Sequence, residues 1–268
     1  MKQIKELIIE KKNIFKFSDF EAKNLVCQQI IINKIAKSEL ADKVLLKGGA
    51  VMFNMTKNIR RTTRDIDFDL LHYDISSEDS MKNLVYMLNK VDSDYVVKYI
   101  SSEPLHQEDY KGRRLYLEIQ DISAKLKFSI DVGVHTLFPI KQRDSVFSFD
   151  NSNIGVKILI NPPEQIIAEK IYSLAKIGAV STRIKDIFDI YYLILNSNID
   201  KDVVNQCFDL LLKNKSFGMR TTFDILSRVN AALNDKVFEK RVMNSKLRWL
   251  DSDYSVVKQT IIEFLESI

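Results

Sequence analysis

Two short runs carry the residue types of phosphate chemistry. In Leu46-Lys47-Gly48-Gly49 the glycines lack a Cβ, so backbone amides there can approach an anion closely, and a helix starting directly afterwards adds its positive amino-terminal end. A few residues later Arg61-Thr62-Thr63-Arg64-Asp65-Ile66-Asp67-Phe68 places two carboxylates two positions apart. In a strand that spacing puts both on one side, where one or two hard cations can bridge them and relieve their repulsion. A phosphate cradle beside paired aspartates is equipment for a metal-bound nucleoside triphosphate (NTP). Each run alone has a plainer explanation: a tight strand-to-helix turn for Gly48 and Gly49, and a solvated acidic strand face, continued by Asp69, for Asp65 and Asp67.

A third carboxylate, Asp131, sits inside the apolar run Lys127-Phe128-Ser129-Ile130-Asp131-Val132-Gly133. A buried carboxylate is costly unless paired or metal-bound. If its strand lies beside the Asp65 strand, three acids converge on one metal cluster, two metals align an attacking hydroxyl with the α-phosphate, and Asp131 serves as general base. The alternative is a salt bridge from Asp131 to a nearby Lys or Arg. Farther along, Lys170 in Ala168-Glu169-Lys170-Ile171 and the charges Arg183, Lys185, Asp186 and Asp189 fall on helices where cations could clamp triphosphate oxygens. Here too a structural explanation competes, namely helical i,i+4 pairs such as Lys185 with Asp189.

These residues need elements to hold them. Apolar residues at helical spacing predict a helix over Phe20–Lys37, capped by Ser18 or Asp19, and Val44-Leu45-Leu46 reads as a short buried strand leading through the glycines into a helix over Ala50–Asn58. Strict alternation predicts a strand over Asp65–Leu71, with Ile66, Phe68 and Leu70 on the packed face. A helix over Ser77–Lys90 precedes strand-rich runs at Tyr95–Ile100, Leu115–Ile119, Lys125–Val134 and 154–160, giving a mixed sheet with several antiparallel members. At Asn161-Pro162-Pro163-Glu164 the texture becomes helical, with further helices over Arg183–Asn196, Asp202–Lys213, Thr222–Leu233, Lys236–Leu250 and Tyr254–Ile268. The expected organisation is α/β (α+β): an α/β domain over 1–160 and a helical domain over 161–268.

The 268 residues suffice for one large or two modest cores, and 40 basic against 36 acidic residues give a net charge of +4 on a surface charged with both signs. An anionic partner is allowed but not required. Two cysteines, Cys27 and Cys207, are far apart among apolar neighbours, which argues against a disulfide framework or a zinc cluster and for a reducing, cytoplasmic setting. No apolar run approaches the roughly 20 residues of a membrane span, so no membrane partner is expected.

Taken together the blocks resemble the AbiEii/AbiGii toxin family of nucleotidyltransferase-fold proteins, known from abortive-infection and type IV toxin-antitoxin systems. Lys47-Gly48-Gly49 resembles the family's K-G-G turn, Arg61 to Phe68 its R-x-S-x-D-h-D-F block with Thr63 in place of serine, and Glu169-Lys170 with Arg183-Ile184-Lys185-Asp186-Ile187-Phe188-Asp189 its E-K and R-x-K-D-h-h-D helices. After the glycines, Ala50-Val51-Met52 departs from the usual Thr-Ala-Leu. The matched blocks run from about residue 45 to 195. The resemblance implies a nucleotidyltransferase-like core with a helical carboxyl-terminal domain, Mg²⁺ (or Mn²⁺) on Asp65 and Asp67, and NTP contacts from Lys47, Gly48, Gly49, Thr63, Arg64, Lys170, Lys185, Asp186 and Asp189. It also implies transfer of a nucleoside monophosphate, in relatives onto the acceptor end of tRNA, and a cognate antitoxin.

Three functions follow in order: NMP transfer from an NTP to an RNA or protein hydroxyl; a nucleotide- or RNA-binding module whose chemistry has lapsed; and a metal-dependent nuclease, against which the glycine turn argues. Basic residues at Lys111-Gly112-Arg113-Arg114, Arg220–Arg228 and Lys236–Arg248 could track an RNA backbone, with Phe217, Phe223 and Trp249 stacking bases, unless these are simply packed and solvated helix faces.

Overall fold

The alternation at residues 65–71 becomes a central strand of a seven-stranded sheet. The computed structural model describes residues 2–91, 94–105, 112–137, 139–148, 155–214 and 217–268; Lys111 and Ile154 lie outside the described residues. The chain divides into two compact units, one of Met1–Thr136 with Gln142–Ile160, the other of Leu137–Lys141 with Asn161–Ile268.

The first unit contains, in chain order, α1 (Ile4–Phe15), α2 (Asp19–Lys37), β1 (Val44–Lys47), α3 (Gly48–Thr56), β2 (Ile66–Leu70), α4 (Glu78–Asn89), β3 (Val96–Pro104), β4 (Gly112–Gln120), β5 (Lys125–Val134), β6 (Arg143–Phe147) and β7 (Val156–Ile160). The sheet order is β3-β4-β5-β2-β1-β7-β6. β2 runs parallel to β5 and β1 parallel to β7, while the remaining neighbours are antiparallel, so the sheet is mixed. Ile66, Phe68 and Leu70 share a buried side with Leu115, Leu117, Ile119, Ile130 and Val132. Helices α2 and α4 pack on the sheet. Helix α2 starts at a capping box, in which Ser18 Oγ accepts from the Glu21 amide and the Glu21 carboxylate accepts from the Ser18 amide. The outer strand β3 has part of its free edge capped: Asn89 Nδ2 donates to Val97 O at 2.7 Å and the Val97 amide donates to Asn89 Oδ1 at 2.9 Å.

Two elements of this unit carry weak sequence signals. In α1 the narrow apolar stripe of Ile4, Leu7 and Ile8 is laced with lysine and glutamate. In β6, an edge strand of five residues, Phe147 is buried but Val146 is 54% exposed, so alternation is short and incomplete.

The second unit is helical: α5 (Pro163–Ile177), α6 (Ile184–Asn196), α7 (Lys201–Asn214), α8 (Thr222–Asn234), α9 (Lys236–Met243) and α10 (Tyr254–Glu266). Proline at the first turn opens α5, and it ends at Gly178, whose φ of +69° with ψ of −154° is a conformation open essentially to glycine alone. The helix expected over Lys236–Leu250 is shorter. It stops at Met243, and a turn sends Trp249 into the core at 1% exposure, its ring 5.6 Å from that of Tyr192. Burial removes Trp249 as a base-stacking surface, whereas Phe223 is 75% exposed. Cys27 and Cys207 are buried free thiols, each pushed up to about 12 chiefly by desolvation. Among the described residues no helix is long and apolar enough to cross a membrane.

Candidate active site

The glycine turn and the aspartate strand meet in one place. β1 pairs antiparallel with β2, which sets Lys47 opposite Asp67, and the chain then turns through Gly48 at φ +66° directly into α3. A Cβ on Gly48 would lie 2.0 Å from Asp67 Oδ2 and 3.0 Å from its Cγ, so the carboxylate could not keep its place beside any other residue. Gly49 is required for a different reason, since a Cβ there would meet Thr63 Cβ at 2.5 Å and Thr63 Oγ1 at 2.7 Å. Each glycine therefore closes against one residue of the Arg61–Phe68 block. The turn beneath is fixed from behind, where Gln28 Nε2 donates to Thr63 O at 2.9 Å. Helix α3 begins without a side-chain cap on its first amides and with no acid of its own in the first turn.

Parallel pairing of β2 with β5 puts Asp131 beside Asp67 in register, and the antiparallel pairing of β5 with β4 puts Arg114 beside Asp131. Asp67 is partly buried and its carboxyl is pushed up to about 6: desolvation is the largest cause, the negative charges of Asp131, Asp65 and Asp69 add to it, and Lys47 opposes it. Asp65, one residue before β2, is exposed. Asp131 is gripped from the side by Arg114, whose Nε and Nη2 donate to Oδ1 and Oδ2 at 2.7 and 2.8 Å in a two-pronged fork. The expected three-carboxylate metal cluster is accordingly not gathered as the side chains stand: among the described residues no three His, Cys, Asp or Glu groups are placed to hold a cation together. The fork satisfies both oxygens of Asp131 and is the structural alternative that its apolar strand allowed from the start.

Behind this row lies a second one. Asp69, 2% exposed, accepts an ion pair from Lys47 Nζ at 2.8 Å, and His135 Nδ1 stands 3.8 Å from the same Asp69 oxygen. His135 Nε2 is in turn 2.9 Å from Gln142 Nε2. Alternation makes this possible, because Lys47, Asp67 and Asp69 share one side of the sheet. Lys47, expected as a nucleotide contact, thus has a structural duty to a buried carboxylate. Arg64 is exposed, with its guanidinium 5.3 Å from the Phe20 ring centroid.

The remaining expected residues belong to the helical unit, where they form their own cluster. Lys170 of α5 reaches across to α6, bonding Asp186 Oδ1 and, at 2.8 Å, Asp189 Oδ2, and Arg183 Nη1 lies 3.8 Å from Asp186 Oδ2. Asp189 is fully buried and Lys185 half-buried. Glu169 accepts from Gln165 Nε2 at 2.8 Å.

Residue types and spacing did not single out Arg114, Arg61 or His135. Arg114 stood out only as half of a basic pair, because its meaning depends on strand register. Arg61 heads the aspartate block and is 4% exposed, with Nη1 3.1 Å from where a Gly49 Cβ would be. His135 follows β5 and carries no motif of its own.

A helix opened by glycine against strand-borne aspartates, at the middle of a mixed sheet, is the layout of a nucleotidyltransferase-type protein. The family model described as nucleotidyl transferase AbiEii toxin, type IV toxin-antitoxin system, matches residues 30–258, and the chain belongs to that family. The match extends well past the last block readable by eye, into α10. Among solved structures, JHP933 from Helicobacter pylori is similar at 14% identity and TM-score 0.49, covering 94% of this chain and 95% of its own. An antigenic nucleotidyltransferase-like protein from Paracoccidioides brasiliensis is similar at 19% identity and TM-score 0.41, covering 76% of this chain and 93% of its own. No curated protein matches the chain.

Proposed function

We propose that this family member transfers a nucleoside monophosphate from an NTP to the hydroxyl of an RNA, with the acceptor end of tRNA as the leading candidate, or to a protein hydroxyl, in a Mg²⁺-dependent reaction whose output is toxic and held in check by a cognate antitoxin in the cytoplasm. One observation carries the reading: Gly48 admits the Asp67 carboxylate to a place where any side chain would collide with it.

The residues fit a divalent cation. Asp65 and Asp67 offer hard oxygen ligands, and the charge pressure that lifts Asp67 to about 6 is the pressure a cation relieves. When bound, Mg²⁺ supplies charge neutralisation at the phosphates and at the attacking oxygen. The amides of Gly48 and Gly49, at the positive end of α3, receive phosphate oxygens. In the reaction the acceptor oxygen bonds to the α-phosphorus as the bond to pyrophosphate breaks, and pyrophosphate leaves. Asp131 takes the acceptor proton only once the Arg114 fork opens, since within the fork both its oxygens are engaged. Lys170, Lys185, Asp186 and Asp189 are proposed NTP contacts on the strength of the resemblance, and Lys185→Ala, which leaves the Lys170–Asp189 pair in place, tests them by its effect on the KM for NTP.

The test incubates purified protein and Mg²⁺ with each labelled NTP and total RNA. Label entering RNA or protein with the wild type and lost in Asp67→Asn supports the reading. Nucleotide binding without incorporation points to a lapsed module, and shortened RNA without NTP points to a nuclease; either result overturns it.

A further inference from the structure

The row Asp67, Asp131, Arg114 does not end the exposed side of the sheet. Two residues back along β5, and two forward along the antiparallel β4, comes the row Ser129, Tyr116, Ser101, and one such step further the row Lys127, Glu118, Lys98, each fixed by strand register. Successive rows on one face are about 6.6 Å apart, so the Tyr116 row begins within one sugar's breadth of the carboxylates. A β-bulge between Tyr99 and Ser101 brings Ile100 out, 48% exposed, at the outer side. Ile100, Ser101, Tyr116, Lys127, Phe128 and Ser129 contribute to an open hollow of about 500 Å³, within the range of about 300–1,000 Å³ for small-ligand sites.

We propose that this face of β3, β4 and β5 seats the 3′-terminal nucleotide of a single-stranded RNA acceptor, with Tyr116 as the stacking surface and Lys127 as a phosphate contact. The proposal rests on the transfer reading above. Tyr116 is 36% exposed, and its hydroxyl donates to Glu103 Oε1 at 2.6 Å, which holds the ring in one orientation. A held ring stacks a base of any identity at little entropic cost. Lys98, Lys125 and Lys127 are exposed, and among the described residues none of the three is in an ion pair, so their charge is left for an anionic chain against Glu118 alone in their rows. Ser101 and Ser129 flank the ring with hydroxyls suited to ribose. A peptide acceptor adding as a strand finds Val97 on the β3 edge already taken by Asn89.

The test uses the full chain and a short single-stranded RNA carrying 4-thiouridine at its 3′ end. Irradiation is expected to cross-link that nucleotide to peptides of β3–β5. Tyr116→Ser and Lys127→Glu should each raise the KM for RNA roughly tenfold, leaving the KM for NTP and the melting temperature unmoved, while Tyr116→Phe, which keeps the ring and loses only the tie to Glu103, should raise it by a clearly smaller factor. Cross-links mapping elsewhere, an unchanged KM for RNA in both variants, or equal loss in Tyr116→Phe and Tyr116→Ser overturns the proposal while transfer stands. Label entering protein rather than RNA overturns the RNA occupant. A wild type that labels nothing overturns the transfer reading, and this proposal with it.

Discussion

Two clusters of basic residues and aspartates, one in each unit, differ in charge balance. In the helical unit Lys170 is shared by Asp186 and Asp189, with Arg183 nearby, so two cations meet two carboxylates. At the sheet, Lys47 is spent on Asp69 and Arg114 on Asp131, and Asp67 is left among like charges with its carboxyl lifted to about 6. Mutually satisfied charges act as a clasp between helices. A carboxylate held in surplus charge, with a glycine cleared away beside it, is where the proposed cation and nucleotide would bind.

The sharpest way to break this contrast is to neutralise one charge in each cluster. Lys170→Ala strands the buried Asp189 and should cost about 3–5 kcal/mol in chemical unfolding. Asp67→Asn should do the reverse: it removes a repelled carboxylate and is expected to raise stability at pH 7 without metal by about 2 kcal/mol while ending transfer, the signature of a site kept at the expense of the fold. Equal destabilisation by both substitutions would erase the contrast between the two clusters.

Gly48→Ala comes next, with about 1–2 kcal/mol from the left-handed backbone alone and more from collision with Asp67. Its loss of transfer should exceed that of Gly49→Ala, which displaces Thr63 rather than a carboxylate.

The pH dependence sharpens the comparison further. Because Asp67 is raised from 3.8 to about 6 in the folded state, the folded protein holds a proton there that the unfolded chain has released. Its contribution to stability therefore falls as pH rises from about 4 to about 6 and stays low above that window. Urea titrations across pH 4–7 should show this decline in the wild type and its absence in Asp67→Asn. The smallest expected effect belongs to Arg114→Gln. The partly exposed fork adds little stability, but freeing the Asp131 charge beside Asp67 should move the Asp67 titration upward, visible as a decline that starts at the same pH and runs on to a higher one in the same series.

Much of this was legible in the residues. Ser18 and Glu21 announce the start of α2, alternation from Asp65 to Leu70 fixes both the strand and the shared side of Asp65, Asp67 and Asp69, and the glycines mark where β1 gives way to α3. What stayed hidden depends on which strand lies beside which. Arg114 and Asp131 are 17 residues apart and meet only through the β4–β5 register, and Lys47 finds Asp69 only because β1 and β2 run antiparallel. Lys170 joins two aspartates of the next helix, so a one-helix i,i+4 count misses it. The helix expected to run to Leu250 ends at Met243 because Trp249 gains more by burial against Tyr192 than by continuing a helical face.

The central claim is that Asp67 and the glycine turn form a site for an anionic nucleotide and its cation. Its most direct test is the melting temperature at pH 7 as Mg²⁺ is titrated in the presence of an NTP, for the wild type and Asp67→Asn side by side. The account predicts a rise that saturates in the wild type and is absent in the variant; an equal rise in both would contradict it.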